Sequence, residues 1–445
     1  MAKDPRMAVV SALAGLHREK RYSNIVLDEL LKSADLSAKD RAFASRLFYG
    51  VIERRITIDY LLQTASAKPL HKLHPLVLET LRTGVYQLLF MDKIPPSAAV
   101  NEAVAGIRRF KQGHASGFVN AVLRGVQRRQ SDWQNCLPDG DAGLSVRYSC
   151  PVELIAFWRD AYGDACTASL LESINEVPPT YLRVNTLQMT DEQFADCLHE
   201  RDIAYEQTAD IPHCFELKSA YLGNKLETVD KNCYYYQDKA SQYACRALDA
   251  QAGEAVADVC AAPGGKSFTV AQGMGNIGRI LSCDVYPQKC DTIEKRAAQL
   301  GITILQTAVR DASAPCSATL CGTFDRVICD VPCSGLGVIR RKPEIRYKEL
   351  QELRSLPALQ YAILEQSAAL VKSGGVLQYS TCTLNPAENE AVAERFLREH
   401  PEFQPRVLPL VDCFAAAGME PSHCITLFPH IHGTDGFFIA GFEKK

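Results

Sequence analysis

The chain has 445 residues, 47% hydrophobic and 23% charged, ordinary for a globular protein with enough length for two or three domains. No apolar run of 18 residues occurs, and Met1-Ala2-Lys3-Asp4-Pro5-Arg6 lacks an apolar stretch, so neither a membrane-spanning helix nor a secretory signal is expected. The net charge of −3 hides a split: 21 Lys and Arg against 14 Asp and Glu over residues 1–145, and 28 against 38 over the rest. The basic part is suited to a polyanion, although a solvated helical surface carries a similar surplus. Seventeen cysteines, an odd number, are scattered without framework spacing and without a CxxC pair, which fits a reducing cytoplasm and argues against a structural zinc site.

Residues 1 to about 140 read as helical. Met7–Leu16, Asn24–Lys32, Asp40–Asp59 and Pro75–Leu89 carry apolar residues at three- and four-residue spacing. Ser37-Ala38-Lys39-Asp40 has the form of a helix start, and Pro95-Pro96-Ser97 that of a stop followed by a new cap. The last helix, Gly117–Arg129, contains FVNAVLRGVQRR, which sets Phe118, Val122 and Val126 on one face and leaves Arg124, Arg128 and Arg129 largely free. With Arg108, Arg109 and Lys111, these arginines are suited to an RNA backbone, held by charge and counterion release. The helical content, the length and the FVNAVLR signature resemble the RNA-binding domain of the NusB antitermination factor.

Leu137-Pro138-Asp139-Gly140-Asp141 marks the first boundary. A smaller α/β segment follows, with a strand at Tyr181–Asn185, a helix at Asp191–Glu200 and short strands at Ile203–Tyr205 and Phe215–Leu217. It carries no visible chemistry. From about residue 228 strands and helices alternate, the signature of a doubly wound parallel sheet. Gln237–Gln242 leads into a helix, and Ala255–Ser267, AVADVCAAPGGKS, then writes a buried strand ending at Asp258, a tight glycine loop and a helix start. Such a loop admits close backbone approach to a ligand. It is not a P-loop, because Cys260 stands where that motif needs glycine. Gly273-Met274-Gly275-Asn276-Ile277-Gly278 matches the dinucleotide spacing, yet it follows a helix and precedes a strand, the reverse of the required order. Further strands are expected at Ile280–Asp284, Ile302–Gln306, Arg326–Asp330 and Val376–Ser380, with a long helix at Leu350–Val371 before the last. Asp284 ends the second strand, where an acid commonly binds ribose hydroxyls, and Asp311 lies just beyond the third.

Most of the cysteines read as small buried hydrophobes. Cys333 and Cys382 differ, since each follows a strand on the ligand side of the sheet. Asn385-Pro386-Ala387-Glu388 reads as a helix start whose positive end favours a thiolate at Cys382. Two thiols above one cleft suggest covalent catalysis on an electrophilic ring.

DVCAAPGGKS, CDVPCSGLGVIRRKPEIR and YSTCTLNPAENE, in this order, resemble the RNA cytosine-C5 methyltransferases of the RsmB/Sun (Fmu) and NOP2/NSUN group. The resemblance covers the whole chain, the NusB-like N-terminus being particular to RsmB. It implies an all-α NusB-like domain over 1–140, a small α/β (RRM-like) connecting segment over 145–227, and a Rossmann-like class I methyltransferase domain over 228–445 that uses S-adenosylmethionine. On the matching positions, Cys260, Ala261, Ala262, Pro263, Gly264, Gly265 and Lys266 form the cofactor loop. Asp284 binds the ribose, Asp311 lies near the adenine, and Asp330 sits between cofactor and target base. Cys382 is the nucleophile and Cys333 helps release the product. Arg310-Asp311 departs from the Gly-Asp that the family often has near the third strand.

The implied reaction is methyl transfer to C5 of a cytosine in small-subunit (16S) rRNA, by a monomeric cytoplasmic enzyme that needs no metal. The thiolate of Cys382 adds to C6, C5 becomes nucleophilic, and Asp330 or Lys266 hydrogen-bonds the ring. The target base must leave any helical stack. Arg340, Arg341, Lys342, Arg346, Tyr347 and Lys348 offer phosphate contacts and stacking near Cys333, or form a solvated charge run. Other readings stay open: the same chemistry on tRNA or large-subunit rRNA, a DNA cytosine methyltransferase, or a non-catalytic RNA-binding factor of antitermination type.

Overall fold

The structure is a computed structural model that describes residues 4–19, 23–33, 35–130, 132–218, 225–414 and 420–445. It divides into two compact units, Met1–Glu176 with Ile339–Leu350, and Val177–Val338 with Gln351–Lys445. No helix among the described residues is long and apolar enough to cross a membrane.

The first unit contains α1 (Pro5–Glu19), α2 (Ser23–Ser33), α3 (Ala38–Glu53), α4 (Arg55–Ala65), α5 (Pro75–Phe90), α6 (Pro96–Arg109), α7 (Ser116–Gln127), α8 (Gly140–Tyr148) and α9 (Val152–Ser173). Ser37 caps α3 by accepting the Asp40 N–H at 3.2 Å, as its sequence suggests. The single helix expected over Asp40–Asp59 is broken at Arg54, which leaves helical geometry. α5 is buried along most of its length and packs against α1, α3, α4, α6 and α7. The covered face of α7 is Val119, Val122, Leu123 and Val126, whereas Phe118 is only half-buried.

This unit runs past the boundary read at residue 140. α8 and α9 join the helical core because Thr57, buried on α4, donates to the Val146 carbonyl at 2.5 Å, while the Ile56 N–H donates to Ser149 Oγ at 2.9 Å. Leu154, Ile155 and Trp158 of α9 are buried too.

Ile339–Leu350, in the middle of the later sequence, belongs to this unit as well. Arg346, 1% exposed, donates to the carbonyls of Glu53, Ser149 and Ile174 and to Asn175 Oδ1 at 3.0–3.3 Å. Those three carbonyls lie at the C-terminal ends of α3, α8 and α9, where unpaired C=O groups concentrate partial negative charge. The Tyr347 hydroxyl donates to the Ile52 carbonyl at 2.7 Å, and Arg55 lies 3.6 Å over its ring. The expectation of phosphate contact at Arg346 and free stacking at Tyr347 is therefore corrected: both are structural. Arg346→Met strips four acceptors of one shared cation. We expect a loss of roughly 3 kcal/mol or more in urea unfolding of the full chain.

The second unit opens with a four-stranded antiparallel sheet of order β2-β3-β1-β4, made of β1 (Thr180–Val184), β2 (Tyr205–Gln207), β3 (Cys214–Leu217) and β4 (Tyr234–Tyr236). α10 (Asp191–Glu200) starts in a reciprocal cap between Thr190 and Gln193. α11 (Lys239–Leu248), capped by Asp238, then leads into a larger sheet.

That sheet has the order β10-β12-β9-β8-β5-β6-β7, with β11 paired to β12. Its strands are β5 (Ala255–Asp258), β6 (Arg279–Asp284), β7 (Leu305–Val309), β8 (Phe324–Asp330), β9 (Val371–Thr381), β10 (Phe403–Pro405), β11 (Cys424–Leu427) and β12 (Phe437–Lys444). β7 through β9 of this order run parallel, and β12 is antiparallel to β9. α12 (Gly265–Gly273), α13 (Pro287–Gln299), α14 (Leu356–Ala368) and α15 (Glu390–Glu399) follow strands β5, β6, β8 and β9. The third strand begins three residues later than read, and the long helix shrinks to α14, its first residues forming short 3₁₀ turns. The strand order reverses at the neighbouring parallel strands β5 and β8, with β6 and β7 added on one side and β9 on the other, so the crevice for a ligand opens at the C-terminal ends of these two strands. One disulfide, Cys316–Cys321, departs from the expectation drawn from cysteine spacing.

Candidate functional site

β5 delivers Asp258 to the crevice floor. Burial pushes its carboxyl up to about 6, against the Ser267 hydroxyl that donates to Oδ2 at 2.7 Å. Backbone bonds tie the loop after it to the neighbouring strands: Val259 N–H donates to the Ile328 carbonyl, and Ala261 N–H to the Cys283 carbonyl. Gly264 has φ +104°, and a Cβ there would stand 2.4 Å from the Phe268 ring, so only glycine fits this turn into α12.

Lys266 on the first turn of α12 reaches across to β8, its Nζ 2.6 Å from Asp330 Oδ2. Burial alone would lower the ammonium pKa, but Asp330 outweighs it and raises it. The Ser380 hydroxyl of β9 donates to the other Asp330 oxygen at 2.8 Å, and Phe437 of β12 lies beneath Lys266 at 5.3 Å. Asp284 is buried at the end of β6 and accepts the Tyr286 N–H at 3.1 Å. Asp311 is separate. It is exposed beyond β7, with one carboxylate oxygen taken by the Ser313 N–H and hydroxyl at 2.9 and 2.7 Å. Only its neighbour Arg310 reaches the group, donating its N–H to the Asp284 carbonyl at 3.0 Å.

The two cysteines meet. Cys333 Sγ, after β8, lies 3.2 Å from Cys382 Sγ, after β9. The hydrogen bond to Cys382, with burial, pushes the Cys333 thiol well above its ordinary range. The Gly337 N–H donates to the Cys382 carbonyl at 3.1 Å, and a Cβ on Gly337 would collide with the Gly436 carbonyl at 1.9 Å.

Sequence reasoning missed what holds these loops. Glu388, fully buried, accepts the Ser334 N–H and Gln360 Nε2 on Oε2, and Asn385 Nδ2 on Oε1, each at 2.8 Å. Its carbonyl accepts the Tyr379 hydroxyl. Asn389 accepts the Thr381 hydroxyl at 2.6 Å and donates to the Thr383 carbonyl at 3.0 Å. The helix expected from Asn385 starts instead at Glu390, so the stretch between is a turn and the helix-end argument for Cys382 is withdrawn. Asn385 spends its side chain on Glu388 and the Ala387 N–H. Acid and amide residues inside a quoted motif were the available signal, but one-dimensional spacing does not say that they bridge two loops.

The residues fit a nucleoside with a charged sulfonium arm. Gly264 admits no side chain, Asp284 offers carboxylate acceptors for hydroxyls, and two buried atoms nearby, Asp258 Oδ1 and Gln237 Nε2, have no protein partner. Gln237 Nε2 is 3.6 Å from where a Gly265 Cβ would sit.

Comparisons with known proteins agree in extent and order. The profile of the 16S rRNA methyltransferase RsmB/F family matches residues 245–443, that of the NusB family residues 3–128, and that of the ferredoxin-like domain of RsmF/B-like methyltransferases residues 151–222. The chain is 37% identical to a probable ribosomal RNA small subunit methyltransferase B of Bacillus subtilis (strain 168), covering 99% of this chain and 98% of that one. It is 34% identical to a Synechocystis protein of the same description, with 97% of each covered. The solved structure of PH0851 is similar over the full length of both chains, with a TM-score of 0.81 at 26% identity.

Proposed function

Because the chain belongs to the ribosomal RNA small subunit methyltransferase B family, we propose that it methylates C5 of a cytosine in 16S rRNA through a covalent Cys382–C6 adduct. The observation that carries this reading is the pair of sulfurs at 3.2 Å beside the Lys266–Asp330 pair, at the crevice where a parallel sheet binds its ligand. S-adenosylmethionine, when bound, supplies the electrophilic methyl group. In this reading residues Cys260 to Lys266 and Asp284 hold it, and Asp311 lies at the outer margin of that site.

The residues divide the remaining work. Cys333, whose thiol keeps its proton, donates S–H to Cys382 and holds that sulfur as a thiolate. The Cys382 thiolate forms a bond to C6 of the cytosine, and the electron pair of the C5–C6 double bond shifts so that C5 becomes the nucleophile. Asp330 and Lys266 hydrogen-bond the ring and balance the charge that develops on it. After methylation a base takes the C5 proton, the double bond re-forms and the Cys382–C6 bond breaks. Cys333 then receives the leaving sulfur with its S–H. Arg124 in the last turn of α7, with Arg128 and Arg129 just beyond it, offers the RNA backbone a cationic face, while Arg109 is engaged with Asp4 at 2.7 Å.

Bisulfite mapping of total RNA from a deletion strain tests the substrate. The expected result is loss of one 5-methylcytosine from 16S rRNA, restored by the wild-type gene. Loss confined to tRNA or 23S rRNA would overturn the substrate and leave the chemistry standing.

A further inference from the structure

The second unit holds another cavity, of about 280 Å³ and lined by both polar and apolar groups, apart from the cysteine pair and the Lys266–Asp330 pair. Its walls are β1, the turn before β3, the end of α11 and one side of α12, with Arg183, His213, Arg246 and Thr269 among the polar lining residues. Arg183 is 8% exposed. Its Nη1 donates to the Pro212 carbonyl and to Gln242 Oε1, both at 3.2 Å, and its Nε has no partner. Among the described residues no carboxylate bonds to this guanidinium.

Arg246 lines the same cavity and donates to the Asp210 carbonyl at 2.7 Å, again without an acid. His213 is held by Asp191 at 2.9 Å. The one acidic residue in the lining, Asp249, lies on the surface, 3.6 Å from Arg406. A buried cation served only by neutral acceptors is costly, and an anion in the cavity removes that cost. Two guanidinium groups match phosphate oxygens in geometry and charge, and the volume exceeds a bare phosphate, leaving space for the group that carries it.

We propose that this cavity binds a phosphate group, with Arg183 as the buried anchor and Arg246 as the second donor. The phosphate belongs either to a free small molecule or to a nucleotide of an RNA strand, and the chemistry at the two arginines is the same. The inference stands independently of the methyl-transfer reading.

Calorimetric titration of the full chain with inorganic phosphate, and separately with a short single-stranded oligoribonucleotide, tests it. Arg246→Gln, at the partly exposed wall, is the primary variant. Arg183→Met is the second, used where its circular dichroism matches the wild type. Saturable phosphate binding weakened at least tenfold by Arg246→Gln, with the oligonucleotide unaffected, supports a small-molecule site. A tenfold weakening of the oligonucleotide by the same substitution supports an RNA phosphate. Absence of binding by either probe, or binding unchanged by Arg246→Gln, overturns the proposal.

Discussion

Cys382→Ser is expected to abolish methyl transfer, a loss on the order of 10⁴-fold or more, while Cys333→Ser is expected to trap a covalent protein–RNA adduct. The asymmetry follows from the pair. A serine hydroxyl at 382 stays protonated near neutral pH and does not add to C6. A serine at 333 leaves the Cys382 nucleophile in place, so the adduct forms and methylation proceeds. Its hydroxyl still donates toward Cys382, but on a C–O bond shorter than C–S it does not follow the sulfur that departs from C6 as the Cys333 thiol does across 3.2 Å, so the last bond breaks slowly. Denaturing gels of each variant with substrate RNA and cofactor report the adduct directly, and transfer of a labelled methyl group reports the rate. A trapped adduct in Cys382→Ser with none in Cys333→Ser would exchange the two roles.

Glu388→Ala carries the second large effect. Three donors converge on this buried carboxylate, one of them the N–H of the residue after Cys333. Alanine leaves all three without an acceptor, at about 1–3 kcal/mol for each buried unsatisfied group. We expect urea unfolding to show a loss on the order of 3 kcal/mol, offset in part by relief of the buried charge. Glu388 also sets the separation of the cysteine loops, so kcat is expected to fall at least tenfold in the folded variant. KM for S-adenosylmethionine is expected to stay near the wild-type value, since its loop lies on β5 and not on β8 or β9. Glu388→Gln keeps one acceptor oxygen and is expected to recover part of both losses. Stability and kcat within error of the wild type in Glu388→Ala would remove the residue from this role.

The parts legible in the sequence are those written locally. The turn at Gly264, the cap at Ser37 and the polar ends of β5, β6, β8 and β9 each follow from a few adjacent residues. The encounter of Cys333 with Cys382 was also foreseeable, because the C-terminal ends of neighbouring parallel strands share one edge of a sheet. What escaped depends on distant partners. Arg346 sits in a run of charges that reads as solvated surface, and only the fold brings the ends of three helices onto it. Asn385-Pro386 has the form of a cap with proline at the first helical position. Asn385 does accept the Ala387 N–H while its Nδ2 donates to Glu388, but this makes a single turn, and the helix waits for Asn389.

The most direct measurement is mass-spectrometric mapping of the cross-linked peptide from Cys333→Ser trapped on substrate RNA in the presence of S-adenosylmethionine. The account predicts a nucleotide attached to Cys382, on a cytosine that already carries the C5 methyl group. A nucleotide attached to any other residue, or no covalent species in a variant that still methylates RNA at the wild-type rate, would contradict it.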